Sequence, residues 1–151
     1  NWIIYFNTYN IVIFIITYCN FIIKFFLSFL NFFVMLHMRY VINKAIKKRE
    51  VRYGYFKAYE GSAPEYVLAA RQHYKNFFEM PILFYLLCII LYVIGDVNKL
   101  DLWIAWLFVV LKFIHSYIRI TSNYVPYRAY AFYGCVLVLF GGWILLALKI
   151  F

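Results

Sequence analysis

Four apolar runs, each long enough to cross a bilayer and joined by short polar segments, leave this chain few ways to fold. About 20 helical residues span the hydrocarbon core. In lipid only helices or closed barrels satisfy every backbone polar group. Hydrophobic residues make up 67% of the 151 and charged residues 14%. A soluble domain of this size keeps too much surface exposed to hide so much apolar content. The chain is therefore read as an all-α integral membrane protein, a bundle of four transmembrane helices. Its longest stretch outside the runs, near residues 43–63, is too short for a soluble module. The membrane bundle must carry the function.

The runs predict helices near residues 18–42, 63–94, 102–122 and 127–150, forming a single membrane domain over 18–151. Residues 1–17 are a lead-in to which no function is assigned. A cleaved signal peptide is not expected, because no basic region precedes the first apolar run and no small-residue cleavage pattern follows it. Ser62-Ala63-Pro64-Glu65 has the capping-box spacing, with Pro64 tolerable in a first turn. Gly95 to Lys99 reads as a turn, and Pro126 favours a second short turn before the last helix.

The net charge is +9. Much of the excess lies in one loop, where Lys44, Lys47, Lys48, Arg49, Arg52 and Lys57 outnumber Glu50 and Glu60. A short basic loop between spans marks the cytoplasmic side and meets anionic headgroups. Nucleic acid is not an expected partner, and the lipid bilayer is. With four spans, loop 43–62 and the Asn123 turn are cytoplasmic and both termini lie outside. The expected location is a bacterial inner membrane. Cys19, Cys88 and Cys135 sit singly in apolar stretches without metal-ligand spacing. They read as small hydrophobes, and no metal site is expected.

Against this apolar background, Arg71, Gln72, Lys75, Asn76 and Glu79 stand out. At about 100° per residue they fall within an arc of about 140° on the second helix, while His73 points away from them. Lys75 and Glu79 are four apart and can interact on one face. Pro81 follows and removes a helical donor near Glu79. On the third helix, Lys112, His115, Ser116, Arg119 and Ser122 share an arc of about 120°. If the two polar faces met, Glu79 would pair with Arg119 or Arg128, and Asn76 and His115 would supply directional bonds. Such a pocket is net cationic and suits an anionic, peptide-like ligand. Two plainer readings stay open: Arg71 and Lys75 snorkelling to headgroups, and Glu79 in an ion pair that only holds helices together. Tyr124, Tyr127, Tyr130 and Tyr133 read as interfacial anchors. Gly141-Gly142 reads as a close helix contact.

The stretch from Tyr55 onward resembles the MAPEG family, membrane-associated proteins in eicosanoid and glutathione metabolism, and in particular its bacterial branch. The likeness is carried by Glu65, the Arg71 region, Asn76-Phe77-Phe78-Glu79-Met80-Pro81, His115-Ser116 and the Arg128 segment after Pro126. The resemblance implies a homotrimer of four-helix subunits that holds glutathione at the subunit interface, open to the cytoplasm. It implies a glutathione-transferase or peroxidase-type activity on a lipophilic small molecule arriving from the bilayer. Carried across, Arg71, Lys75, Asn76 and Glu79, with His115 and Arg119, would bind glutathione, and Arg128 would activate its thiol. The sequence departs from the family pattern in places. Lys75 replaces an Arg, Gln72 stands where another basic residue often occurs, and Ala129 and Phe132 occupy places of a Ser and a Tyr. The alternative is a non-catalytic accessory subunit whose buried charges form inter-subunit ion pairs. Transport is disfavoured, because the outer half of each helix is almost purely apolar.

Overall fold

The computed structural model describes residues 2–150 except Glu60, with side chains described from Phe21 onward. The expectations for Cys19, for Glu60 and for the side chains of the lead-in lie outside the described residues. The fold is all-helical: α1 (Trp2–Lys47), the short α2 (Tyr55–Ala58), α3 (Glu65–Ile94), α4 (Lys99–Ile120) and α5 (Val125–Ile150). Four segments are long and apolar enough to cross a membrane: Phe21–Lys47, Glu65–Ile94, Lys99–Ile120 and Val125–Ile150. The chain is a multi-pass integral membrane protein. Alternation of the spans places the basic loop and the α4–α5 turn at one end of the bundle, and the α3–α4 turn and the end of α5 at the other.

Each helix buries a narrow stripe and leaves large apolar side chains outside, as expected where lipid rather than water is the solvent. On α1 the stripe is Ile23, Leu27, Leu30 and Val34; on α5 it is Cys135, Leu139 and Leu146. They meet Phe84 of α3 and Phe108 of α4, whose rings stack at 4.5 Å and 12°. Helix α1 packs on α3 and α4, and α5 packs mainly on α4. The Cys88 and Cys135 thiols are free and buried within this core. A second cluster, with Val41, Ala45, Val51, Tyr55, Val67 and Ala70, closes the basic-loop end. It anchors the loop against the start of α3.

The capping box expected at Ser62 does not form. Pro64 is the N-cap of α3 at φ −56° and ψ 146°, with no side-chain bond. The residue before a proline is pushed to extended geometry, which carries Ser62 away from the helix it was expected to cap. The Val67 and Leu68 amides donate instead to the Pro64 carbonyl, at 3.0 and 3.2 Å. A capping box is present at the opposite end of the bundle. The Asp101 amide donates to Asn98 Oδ1 at 3.1 Å and the Asn98 amide to Asp101 Oδ2 at 2.8 Å. Lys149 from the end of α5 closes on the same carboxylate at 2.6 Å. Loop chemistry at this end therefore ties α5 to the start of α4.

The adjacent glycines Gly141 and Gly142 of α5 differ. A Cβ on Gly142 would stand 2.7 Å from Leu87 Cδ2 and 3.5 Å from Ile104 Cγ2, whereas one on Gly141 would meet nothing within 4 Å. Of this pair, Gly142 is the one that permits the close approach of α5 to α3; a Cβ on Gly134, earlier in α5, would meet Leu111 of α4 at an ordinary contact distance of 3.5 Å. Gly142→Val is expected to lower stability in detergent by about 1–3 kcal/mol, as overpacking does. Gly141→Ala is expected to be neutral or slightly stabilising, through helix propensity. Denaturation curves of the two variants check both.

Candidate functional site

Helix α3 presents opposite faces to opposite surroundings. Val67, Ala70, His73, Phe77, Pro81 and Phe84, three or four residues apart, are buried against the bundle. The other face carries Arg71, Gln72, Lys75, Asn76 and Glu79, which with Leu68 line a concavity of about 350 Å³ on the outside of the chain. Among the described residues the ion pairs are Lys48–Glu50, Lys149–Asp96 and Lys149–Asp101, so neither Lys75 nor Glu79 is paired within the chain. The outer groove holds two cations, a carboxylate and two amides, none of them in an ion pair among the described residues.

One of these side chains is held by the loop. Tyr55, Phe56 and Tyr59 pack edge to face, with centroids 5.2 to 6.2 Å apart. Tyr59 ends α2 in the left-handed region at φ 60°, and its amide donates to the Tyr55 carbonyl at 2.7 Å. This conformation is costly for a bulky residue. It brings the Tyr59 ring under the Arg71 guanidinium, 3.6 Å from centroid to Cζ. A guanidinium stacked on an aromatic face keeps its donor edge open for a carboxylate. Arg71 is thus fixed at the mouth of the groove rather than swept into the headgroups.

The α4 arc lies elsewhere. Lys112, His115, Ser116 and Arg119 all point into the bundle, against the inner side of α3, while Ser122 is exposed. His73 Nε2 and Ser116 Oγ are 3.1 Å apart, and the His73 and His115 rings lie 6.0 Å apart. His73 points away from the outer stripe, as its place on the helix predicts, and so into the bundle. Its signal was the α4 arc itself, whose polar groups need a partner across the interface. Lys112, only 1% exposed, ends among the rings of Phe77, Phe108 and Phe132, each 5.7 to 5.8 Å from Nζ. A ring quadrupole offers a desolvated ammonium partial compensation. Phe132, where the family pattern has a Tyr, serves here as one wall of that aromatic box and packs on His115 at 6.0 Å.

Arg119 and Arg128 are joined through the α4–α5 turn. Asn123 sits at φ 49°, a region that Asn tolerates. Its Oδ1 accepts from Arg128 Nη1 at 2.8 Å and from Arg119 Nη1 at 3.4 Å. Arg119 Nη2 also donates to the Ala69 carbonyl of α3 at 3.3 Å. The pairing expected between Glu79 and Arg119 or Arg128 is therefore not made within one chain. Glu79 projects from the outer face of α3, and Arg119 reaches the inner side. A helix cannot offer one side chain to both sides of itself, so outer groove and inner network stay separate.

The His73–Ser116 contact has a direct test. Interhelical hydrogen bonds within membranes average roughly 0.6 kcal/mol. Ser116→Ala, which leaves His73 Nε2 without its partner, is expected to cost about 1 kcal/mol in a denaturation assay, and Ser122→Ala, on the exposed surface, much less.

Neither a curated protein nor a solved structure matches the chain. The model of the MAPEG family matches residues 25–148, a stretch that takes in all four spans, the outer groove of α3 and the buried network of α4, and the chain belongs to that family.

Proposed function

We propose that this protein binds glutathione in the outer groove of α3 and presents the thiol to a lipophilic electrophile. The observation that carries the reading is the groove itself: Arg71, Gln72, Lys75, Asn76 and Glu79 line one concavity, and its charged members Arg71, Lys75 and Glu79 form no ion pair among the described residues. Glutathione has two carboxylates, an ammonium group and peptide amides. Arg71 and Lys75 suit the carboxylates, Glu79 the ammonium group and Asn76 an amide, as charge-assisted and directional bonds. Membership of the MAPEG family, associated with glutathione and eicosanoid metabolism, supports the same ligand.

A row of charges on a lipid-facing helix is costly without cover. In this reading other copies of the chain provide that cover, and the assembly is a homotrimer with the groove at its subunit interface. The basic loop and the groove mouth face the cytoplasm, by the positive-inside rule, in a bacterial inner membrane. Arg128 would come near the thiol from a neighbouring subunit and stabilise the thiolate, the reactive form. The thiol proton passes to water, and the thiolate adds to an electron-poor C=C bond of an electrophile that enters from the bilayer: the C–S bond forms, the C=C π bond breaks, and the resulting carbanion takes a proton from water. His115 and Arg119 act from behind as positioning residues. Arg119 holds the α3 backbone at Ala69, and His115 packs on His73.

The unpaired Glu79 also fits a second reading, an accessory subunit in which Glu79 forms an ion pair across the interface and no ligand is bound. Thermal unfolding of the detergent-solubilised protein separates the two. Under the glutathione reading the melting temperature rises saturably with glutathione, and Glu79→Gln removes that response while the oligomer persists. Arg128→Ala keeps binding within about tenfold but lowers conjugation to a lipophilic electrophile by about 100-fold or more, the scale of losing an electrostatic contact to the reacting atom. Under the accessory reading glutathione changes nothing, and Glu79→Gln dissociates the assembly.

A further inference from the structure

The outer groove is not the largest concavity of this chain. A second, of about 640 Å³, opens between α1, α3 and α4 at the basic-loop end of the bundle, lined by buried Ala70, His73 and Arg119 and by exposed Lys44, Glu65 and Ser122. That volume falls within the range of small-molecule sites. Its wall includes Arg119 and Lys44, the imidazoles of His37 and His73, the amide of Asn123 and a single carboxylate, Glu65.

Two of these groups have bonding capacity left over. Arg119 is 7% exposed, and although its terminal nitrogens reach Asn123 and Ala69, Nε has no partner among the described residues. His37 Nδ1 is likewise buried and unpartnered. Buried polar atoms left unsatisfied are costly and call for an explanation such as a bound group; Arg119 Nε is a donor, and His37 Nδ1 donates in the tautomer that carries its proton there. Lys44 enters from α1, and Arg128 adds its charge through the shared Asn123. Glu65 is exposed, at the first turn of α3. Positive charge thus outweighs negative around the cavity, and its donors come from several directions, which suits a tetrahedral oxyanion better than a planar group. Val41 and Ile120 add an apolar wall beside these donors.

We propose that the inner cavity binds a phosphate group, held by Arg119, His37 and Lys44, either on a lipid headgroup or on a soluble phosphate compound. The site is distinct from the α3 groove and does not rest on the glutathione reading. His73 faces the inner cavity, and its neighbour Gln72 lines the outer groove.

The test uses the full chain in detergent micelles and follows thermal unfolding against two probes. One is inorganic phosphate, compared with chloride at matched ionic strength. The other is dioleoylphosphatidic acid doped into the micelles, compared with dioleoylglycerol, which lacks only the phosphate. A saturable rise of several degrees is expected with at least one probe, since a ligand that binds only the folded state stabilises it. A response to inorganic phosphate identifies a soluble source, and a response to phosphatidic acid alone identifies a lipid. Arg119→Gln, His37→Leu and Lys44→Gln are each expected to weaken the apparent affinity about tenfold or more, the scale of a charge-assisted bond. His37→Leu and Lys44→Gln leave the Arg119–Ala69 contact in place, so they report on the cavity even if Arg119→Gln does not fold. Lys75→Gln, in the outer groove, is expected to leave the phosphate response intact. The proposal is overturned if neither probe stabilises the protein, if the three cavity variants respond like the parent, or if Lys75→Gln abolishes the response. Loss of glutathione binding with the phosphate response intact would count against the glutathione reading alone.

Discussion

Charge that faces hydrocarbon must find a partner, reach water or be covered by protein, and Lys149, Lys112 and Arg119 of this bundle each show one of those solutions. Lys149 and Asp101 pair at one end, at 2.6 Å, where the same carboxylate also caps α4. Lys112 is enclosed by three aromatic rings. Arg119 directs its terminal nitrogens to Asn123 and to the α3 backbone. The outer face of α3 has none of these arrangements. Arg71 alone is supported from within the chain, by the Tyr59 ring, and the Lys75 and Glu79 beside it are left without ion pairs. That face is the one that a neighbouring copy and a polar ligand would cover in the proposed function.

The polar residues inside the bundle have a different part. Ser116, His73, His115 and Arg119 bind α4 to the inner side of α3, along the same stretch of helix that carries the groove outside. Displacing that network would move the groove with it, since both sit on one rigid helix. The Tyr59 stack adds a second restraint at the groove mouth. A ligand in the outer groove would thus meet side chains whose backbone is fixed from two directions, which limits the ordering cost of binding.

Much of this was legible in the sequence because it depends on periodicity. Runs of apolar residues set the four spans, and a rotation of about 100° per residue brought Arg71, Gln72, Lys75, Asn76 and Glu79 onto one face. They do line one groove. The same rotation grouped Lys112, His115, Ser116 and Arg119, which share the buried face of α4. Periodicity gives the face of a helix but not the neighbour that the face meets. The two arcs were expected to join, and they lie on opposite sides of α3. His73 was discounted for pointing away from the outer stripe, yet it is the residue that answers Ser116. Capping depends on local backbone geometry in the same way. The Ser62 pattern was overridden by the extended geometry before Pro64, and the Asn98–Asp101 box, with equivalent spacing, sat in what read as a featureless turn.

Native mass spectrometry of the detergent-released protein in the presence of glutathione tests most directly whether the α3 groove is a ligand site completed by other copies of the chain. The expected spectrum shows three copies carrying up to three glutathione molecules, with the bound glutathione lost in Glu79→Gln while the three copies stay together. A spectrum of single chains, or of trimers that take up no glutathione at concentrations that saturate a micromolar site, would contradict it.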